Sequence, residues 1–262
     1  MKLSYDISAL IPYINWPYFF FAWQVKEQGE KERLRQEALS LLAQLEGRYH
    51  AYALFELDDA NSDGDDIIVA SRRLPLLRQQ QGSPPYLCLS DFIRPLSSGQ
   101  EDRIGVFATS VDIGMETDFD ADPYQKMMVQ LLADRLAEAA AERLHEQVRK
   151  EFWGYAKDEQ LTISEMLVEK FQGIRPAIGY PSLPDTSLNF VLDGLLDMKQ
   201  IGIRLTESGA MKPHASVSGL MMAHPQARYF NLGKIGEDQL RDYARRRGLP
   251  VEVLRKFLAG NL

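Results

Sequence analysis

The chain has 262 residues, with 30 Lys and Arg against 37 Asp and Glu, so its net charge is -7 when histidine is neutral. This acidic balance argues against broad binding to nucleic acids or anionic membranes, because such binding depends on a positive field. A single cysteine, Cys88, excludes an intramolecular disulfide and any cysteine-based metal cage. It also favours a reducing, cytoplasmic location.

The N-terminal residues 1–23 are rich in apolar side chains but predict neither a signal peptide nor a membrane span. Pro12, Asn15 and Pro17 interrupt the segment. Its longest unbroken apolar run, Tyr18–Trp23, is far shorter than the ~20 residues that a spanning helix needs. We expect the segment to lie as an aromatic strap against the core, where its rings bury a large area.

The first third of the chain predicts a helix followed by a hairpin. Apolar residues recur with helical spacing over Lys26–Leu45. The segments Tyr49–Leu57 and Ile67–Ala70 are typical of strands, and the polar turn between them, Asp58–Asp66, predicts that they pair. The aspartates of this turn lack the spacing of a twelve-residue calcium loop that ends in a bidentate Glu, so a solvated loop is favoured over a cation site.

Two further strands, Tyr86–Leu89 and Arg103–Thr109, precede the strongest periodic signal of the chain. From Pro123 to about Phe152 an apolar residue recurs every four positions, which predicts a helix of roughly 45 Å that acts as the spine of the domain. The helical pattern alone places four charged residues off the apolar stripe, on a solvated face: Asp134, Glu138, Glu142 and Arg149.

The second half of the chain combines short helices with an irregular segment. Thr162–Glu165 is a capping box that predicts a helix to about Phe171. Gly173–Pro184 contains three prolines and two glycines, so its backbone must find hydrogen-bond partners outside regular ladders. Because no long linker divides the chain, we predict one α+β domain over residues 1–262. The remaining predicted elements are a helix over Leu188–Met198, a hairpin of strands Ala215–Ala223 and Arg228–Leu232, a helix over Glu237–Arg247, and a last helix whose first residue is Pro250.

Common catalytic motifs are absent, including the glycine-rich nucleotide loops, His-Glu-x-x-His, Gly-x-Ser-x-Gly and Cys-x-x-Cys. The four histidines show no metal-ligand spacing, so we predict neither a catalytic residue nor a metal site. Six cations in the last two helices are compatible with a helix-turn-helix, with a basic docking patch for an acidic protein, or with a solvated face. They are Arg241, Arg245, Arg246, Arg247, Arg255 and Lys256.

One segment carries a local signal for ligand binding. Pro176 restrains the backbone beside Arg175, whose guanidinium can grip a carboxylate with two hydrogen bonds. Gly179 permits close approach of a ligand because it has no Cβ, and Tyr180 offers a flat ring. Together they could cradle an amino-acid nucleotide. An internal ion pair of Arg175 with no cavity beside it would exclude this role.

Short sequence blocks follow one another in a specific order along nearly the whole chain. They include Tyr13–Trp16, Tyr86–Phe92, Ala133–Ala139, Gln172–Ala177, Gly179–Pro181, Leu205–Ser208, Ala215–Gly219 and Asp242–Arg245. In this order they resemble the reactivation domain of cobalamin-dependent methionine synthase, the module that binds S-adenosylmethionine. The resemblance implies a single C-shaped α+β domain with a bent antiparallel sheet and a long central helix.

The resemblance also implies which residues bind S-adenosylmethionine. Arg175, Gly179 and Tyr180 meet the family's Arg-x-x-x-Gly-Tyr motif, in which the arginine holds the amino-acid end of the ligand. By the resemblance, Asn15 and Glu138 would meet the ammonium or another polar edge, so Glu138 belongs to a pocket rather than to the solvated face that the helical pattern predicts. The other positions carried over are Ala177, Tyr229 and Phe230.

Three features depart from the family's pattern. Asn15 stands where an Asp is usual, Ile178 replaces a second Pro, and Thr186–Asn189 replaces a His-Thr-Glu-Lys segment near the face that meets the cobalamin module. The chain also lacks the Asp-x-His-x-x-Gly motif of cobalamin binding. We therefore expect a partner module to carry the cobalamin, and the chain to be an excised domain or, given the departures, a separately encoded protein.

The function that the resemblance implies is reactivation of cob(II)alamin by reductive methylation, with S-adenosylmethionine as methyl donor, in support of methionine synthesis by a methyltransferase. A flavodoxin-like protein would donate the electron, and neither nucleic acid nor membrane would be a partner. The chain would not turn over alone, since its task is positioning. Two alternatives stay open: a reactivator of another corrinoid methyltransferase, and a degenerate module that docks on a corrinoid protein without binding the ligand.

Overall fold

The computed structural model describes all residues, 1–262, and shows eight strands and nine α-helices joined by short 3-10 turns. The strands are β1 (Lys2–Asp6), β2 (His50–Asp63), β3 (Asp66–Val69), β4 (Arg72–Pro75), β5 (Asp102–Val111), β6 (Arg204–Leu205), β7 (Met211–Lys212) and β8 (Ser216–Met221). The helices are α1 (Ile7–Leu10), α2 (Trp16–Ala22), α3 (Gln28–Leu45), α4 (Gly114–Thr117), α5 (Pro123–Gln147), α6 (Ile163–Met166), α7 (Leu188–Leu196), α8 (Glu237–Arg247) and α9 (Val251–Phe257).

Strand β2 organises the main sheet, in which every pair is antiparallel. One edge of β2 pairs with β5 over Ala51–Ala60. The opposite edge pairs with β1 near the start of β2 and with β3 near its end. The order is β4-β3-β2-β5-β8, with β1 beside β2, while β6 and β7 form a separate ribbon. Twisted strands arranged in this way give the sheet its curled shape.

A separate apolar cluster packs against each face of the sheet. On β5, Phe107 and Val111 belong to the cluster that contains α5, whereas Val106 and Ala108 belong to the cluster under α7. This alternation follows from the two-residue period of a strand. A third, smaller cluster lies under α8 and α9.

The predicted spine is present, but it ends differently from the prediction. Helix α5 stops at Gln147, and Val148–Phe152 widens into a π-helical turn. A π-turn changes the number of residues per turn, so the side chains after it no longer follow the helical wheel. Arg149 is therefore fully buried, where it forms an ion pair of 2.6 Å with Glu159. Its predicted place on a solvated face is wrong.

The N-terminal strap is largely helical and packs on the α5 side of the sheet. Phe19 is buried in that cluster, and Trp16, Phe20 and Trp23 pack against it. Phe21, by contrast, is 82% exposed. None of the helices in the structure combines the length and the apolarity needed to cross a membrane.

The first predicted hairpin is present, but most of its predicted turn is strand: β3 pairs with Ala60–Asp63 and not with Tyr49–Leu57. Its acidic residues are not simply a solvated loop. Strand β2 continues to Asp63, and the chain reverses at Gly64 and Asp65. Asp66 is buried because two arginines neutralise it: Arg73 at 2.8 Å and Arg246, which also contacts its carboxylate. Arginines of the same chain thus neutralise much of the negative charge of these aspartates.

Two predicted strands are wrong. Tyr86–Leu89 is extended chain that leads into a 3-10 turn and pairs with no strand. Arg228–Leu232 forms no strand either, because residues 174–178 take the edge of β8 that the predicted hairpin would have used. The helix predicted from Thr162 to about Phe171 has a single α-helical turn, α6, and Pro250 is the N-cap of α9 rather than its first residue.

Most of the cations in the last two helices form ion pairs within the chain. Arg247 is buried against Asp185 at 2.9 Å, and Arg246 contacts Asp66 and Asp242. At the surface, the further pairs are Arg241 with Glu237, Arg245 with Asp242, and Arg255 with Glu237 and Glu252. This pairing favours a structural role over a basic docking patch.

Candidate functional site

A cleft of about 720 Å³ opens beside α5, between the irregular segment after Gly173 and the chain around Tyr229. This volume falls within the roughly 300–1,000 Å³ that is usual for sites of small ligands. The cleft brings together seven of the eight residues that the resemblance implies: Asn15, Glu138, Arg175, Ala177, Tyr180, Tyr229 and Phe230.

Gly179 is not among the lining residues. Its φ of +89° lies in the region that favours glycine, and its N–H donates to the carbonyl of Leu183 at 2.8 Å. Gly179 therefore makes the turn that carries Tyr180 to the cleft.

The segment that carries Arg175 is held like a short extra strand on β8. Ile174 exchanges two hydrogen bonds of 2.9 Å with Met222, and the N–H of Ile178 donates to the Ser218 carbonyl at 2.9 Å. Ile174 and Ile178 point into the cluster under α7, while the residues between them, Arg175–Ala177, line the cleft. The side chain at position 178, where the family's pattern has a second Pro, thus fills the core and does not line the cleft.

Glycine permits this pairing at two positions. Gly173 has a φ of +85°, and a Cβ there would lie 2.3 Å from the carbonyl oxygen of Met222. A Cβ on Gly219 would lie 2.2 Å from the carbonyl oxygen of Pro176. Both approaches are too close for any other residue, so they set the position of the cleft wall.

Arg175 is anchored through its backbone and its side chain. Its N–H donates to the Tyr229 hydroxyl at 2.9 Å, and its guanidinium forms an ion pair with Glu142 of α5. The two side chains are only 12% and 19% exposed. Burial opposes the charge of Arg175, but Glu142 and neighbouring acidic groups raise its pKa above the ordinary value. The internal ion pair is present, and so is the cavity beside it; only a pair without a cavity would have excluded a ligand role.

Acidic side chains outnumber cations around the cleft, where Glu138, Glu142 and Glu169 face Arg135 and Arg175. Glu138 accepts a hydrogen bond of 2.7 Å from Arg135. Burial raises the pKa of Glu138, and burial together with Glu142 raises the pKa of Glu169. These pKa shifts report mainly that the carboxyls are withdrawn from water, while the excess of three glutamates over two arginines leaves one negative charge unbalanced. A ligand cation would complete the balance.

Glu142 and Glu169 are cleft residues that the sequence did not reveal. The helical pattern placed Glu142 with the solvated charges, although its four-residue spacing from Glu138 puts both on one face of α5. Glu169 lay inside a predicted helix, but there the chain leaves the helix with a φ of +60°. That conformation is sparsely populated for residues other than glycine and is concentrated at functional sites.

The aromatic and polar edge of the cleft comes from the N-terminal strap. Asn15 precedes α2 and makes no capping hydrogen bond with its side chain. Tyr13 and Tyr18 line the same edge, and Tyr18 is more than half exposed. The segment Thr186–Asn189 departs from the family's sequence pattern. There the Asn189 side chain is buried and donates to the Gly209 carbonyl at 2.8 Å.

Comparison with known proteins finds two strong similarities. A family model described as "Vitamin B12 dependent methionine synthase, activation domain" matches residues 6–248. A crystal structure of the MetH reactivation domain bound to AdoHcy is similar at a TM-score of 0.95 and 38% sequence identity, covering 100% of this chain and 90% of that one. This similarity confirms the predicted C-shaped α+β class, with its bent antiparallel sheet and long helix.

Proposed function

The chain belongs to the activation-domain family of vitamin B12-dependent methionine synthase, and we propose that its cleft binds S-adenosylmethionine for the reactivation of cobalamin carried by a partner module. Methionine synthase is a methyltransferase, and its activation domain works with the cobalamin-binding module. The observation that carries the proposal is a buried guanidinium, Arg175, that shares one cleft with three carboxylates.

The charges of the cleft are complementary to this ligand. S-adenosylmethionine carries a carboxylate, an ammonium and a sulfonium, so it has one net positive charge at neutral pH. Two arginines and three glutamates give the cleft wall one net negative charge. A partly buried cleft strengthens such complementarity, because charges interact more strongly where water is excluded.

Individual side chains suit the separate parts of the ligand. Arg175 would hold the carboxylate, because its side chain lines the cleft and the donors of its Nη1 make no hydrogen bond within the chain. Asn15 and Glu138 would accept from the ammonium, while Tyr180 and Tyr229 would present ring faces toward the sulfonium. The neutral amide at Asn15 forgoes the charge-assisted part of the contact that the family's Asp provides, about 1 kcal/mol.

The bound ligand supplies an electrophilic methyl group. The residues of this chain need neither donate nor accept a proton; they bind the ligand, orient it and exclude water. From the resemblance, a flavodoxin-like protein supplies the electron and the whole domain, residues 1–262, acts as one positioning module.

Isothermal titration calorimetry with S-adenosylmethionine tests the proposal. Arg175→Ala should weaken binding by about 2 kcal/mol, close to thirtyfold in Kd, because a charge-assisted contact is lost. Arg241→Ala, at an exposed ion pair far along the chain, serves as the control and should bind like the wild type. Unchanged affinity of Arg175→Ala would remove Arg175 from this role. A wild-type protein that does not bind would favour the degenerate docking module instead.

The partner is tested separately. If the chain serves methionine synthase, adding it with S-adenosylmethionine and a reductant should restore activity to a methionine synthase that lacks this domain. Restoration of a different corrinoid methyltransferase alone would favour the alternative partner.

A further inference from the structure

Glu142 is the acidic group that contacts the Arg175 guanidinium directly. It reaches Nη2 from α5, one helical turn after Glu138. Glu138 is already bonded to Arg135 at 2.7 Å, and Glu169 forms no ion pair. The buried charge of Arg175 therefore depends on Glu142 for its hydrogen-bonded counter-charge.

The pairing leaves donors of Arg175 free. A guanidinium has five N–H donors in a planar fork, and Glu142 uses the Nη2 side. Arg175 Nε and Glu142 Oε2 are both buried with no hydrogen-bond partner. An atom that the protein seals from water is also out of reach of a ligand oxygen, so the donors open to a ligand carboxylate are those of Arg175 Nη1, which makes no hydrogen bond and is not sealed in this way.

The two anchors of Arg175 act on different parts of the residue. Tyr229 fixes the backbone through the Arg175 N–H, whereas Glu142 fixes the plane of the guanidinium. A long side chain otherwise loses much rotamer freedom when it binds a ligand, and a preformed orientation avoids that loss.

We propose that Glu142 is a positioning residue for ligand binding: it holds the Arg175 guanidinium in the orientation whose free N–H donors receive the carboxylate of the ligand. This inference rests on the proposed function. It separates Glu142 from Glu138 and Asn15, because Glu142 acts through Arg175 and does not itself touch the ligand.

The experiment compares two ligands by calorimetry: S-adenosylmethionine and its decarboxylated analogue, which keeps the sulfonium and the ammonium. Glu142→Gln should weaken binding of S-adenosylmethionine by about tenfold, because the Arg175 guanidinium loses the charged partner that orients it. Glu142→Asp keeps the charge of the cleft but withdraws the carboxylate from Arg175 by one methylene, so it should weaken binding of S-adenosylmethionine while leaving the Kd of the doubly charged decarboxylated analogue within about twofold of the wild-type value. Glu151→Gln, at an exposed glutamate just beyond α5, is the matched control and should alter neither value.

A double-mutant cycle completes the test. Glu142→Gln added to Arg175→Ala should cause no further loss of S-adenosylmethionine affinity, because the positioned group is already absent. Equal weakening of both ligands by Glu142→Asp, additive losses in the double variant, or tighter binding by Glu142→Gln would each overturn the proposal. If Glu142→Gln does not fold, the selective loss expected of Glu142→Asp tests the proposal by itself. A wild-type chain that does not bind S-adenosylmethionine would refute the proposed function itself, whereas a wild-type chain that binds it while Glu142→Asp binds it equally well would refute only the positioning role.

Discussion

Gly219 does not itself line the cleft, but replacing it with alanine should disturb the cleft by displacing the segment that carries Arg175. The added Cβ would lie 2.2 Å from the carbonyl oxygen of Pro176, 2.9 Å from Cα of Ala177 and 3.0 Å from the ring of Phe107. Two of these three neighbours belong to the extra strand on β8, which cannot retreat without breaking its hydrogen bonds to Ser218 and Leu220.

The loss of stability expected for Gly219→Ala can be estimated from these contacts. Overpacking of a filled interior costs about 1–3 kcal/mol, and each weakened hydrogen bond adds about 1 kcal/mol. We therefore expect Gly219→Ala to lower the free energy of unfolding by about 2–4 kcal/mol, as measured by urea denaturation. Because Arg175 lies on the displaced segment, calorimetry should also show weaker binding of S-adenosylmethionine.

A glycine elsewhere in the chain supplies the control. Gly29, in the first turn of α3, has no atom within 4 Å of the position a Cβ would take. Gly29→Ala should leave stability unchanged or raise it by up to about 1 kcal/mol, since alanine favours the helix. If Gly219→Ala unfolds within about 0.5 kcal/mol of the wild type, the segment is not held against β8 as described.

Three further predictions concern buried ionisable groups. Glu159→Gln should lower the free energy of unfolding by about 3 kcal/mol in urea, because it leaves the Arg149 charge buried without its counter-ion; an effect below about 1 kcal/mol would contradict this. Burial and the nearby Arg149 hold the pKa of His145 well below its ordinary value of 6.5, so the native imidazole stays neutral while the unfolded chain takes up a proton. The free energy of unfolding should therefore fall as the pH drops below 6.5, by up to about 1.4 kcal/mol per pH unit, and a His145→Leu variant that kept the full slope would refute the assignment. Burial raises the pKa of the Cys88 thiol to about 11, so a thiol reagent should label it only after unfolding, and rapid labelling of the native protein would count against its burial.

Elements with a strong local period could be predicted from the sequence. The apolar spacing of α5, the strand β5 and the Gly248 stop after α8 are each encoded within a few neighbouring residues, and all three are present. The apolar stretch Arg228–Leu232 has the composition of a strand but packs by side-chain contacts instead. The edge of its predicted partner β8 is taken by residues that lie 40 to 48 positions earlier in the chain than the residues they bond to, and no local pattern shows such pairing.

The site was predictable where a residue type matched a ligand group, and not where packing decides orientation. Arg175 could be singled out because glycine and proline surround it, and the resemblance added Glu138. Glu142 and Glu169 were not predicted as cleft residues. Whether the charged position 142 faces water or a cleft depends on what packs against the helix, and a left-handed φ at Glu169 breaks the helical pattern. The burial of Arg149 was not predicted for a related reason, since the π-turn changes the direction of its side chain.

The length of strand β2 has a consequence for how the protein unfolds. Its first residues bond to β1 over the cluster that contains α5, and its last residues bond to β3 over the cluster under α7. Neither half of the interior can open without straining the same backbone, so denaturation should proceed as a single cooperative event. A molecule bound in the cleft would then protect remote amide protons of β3 and β4 from exchange as strongly as those of the sheet beside it.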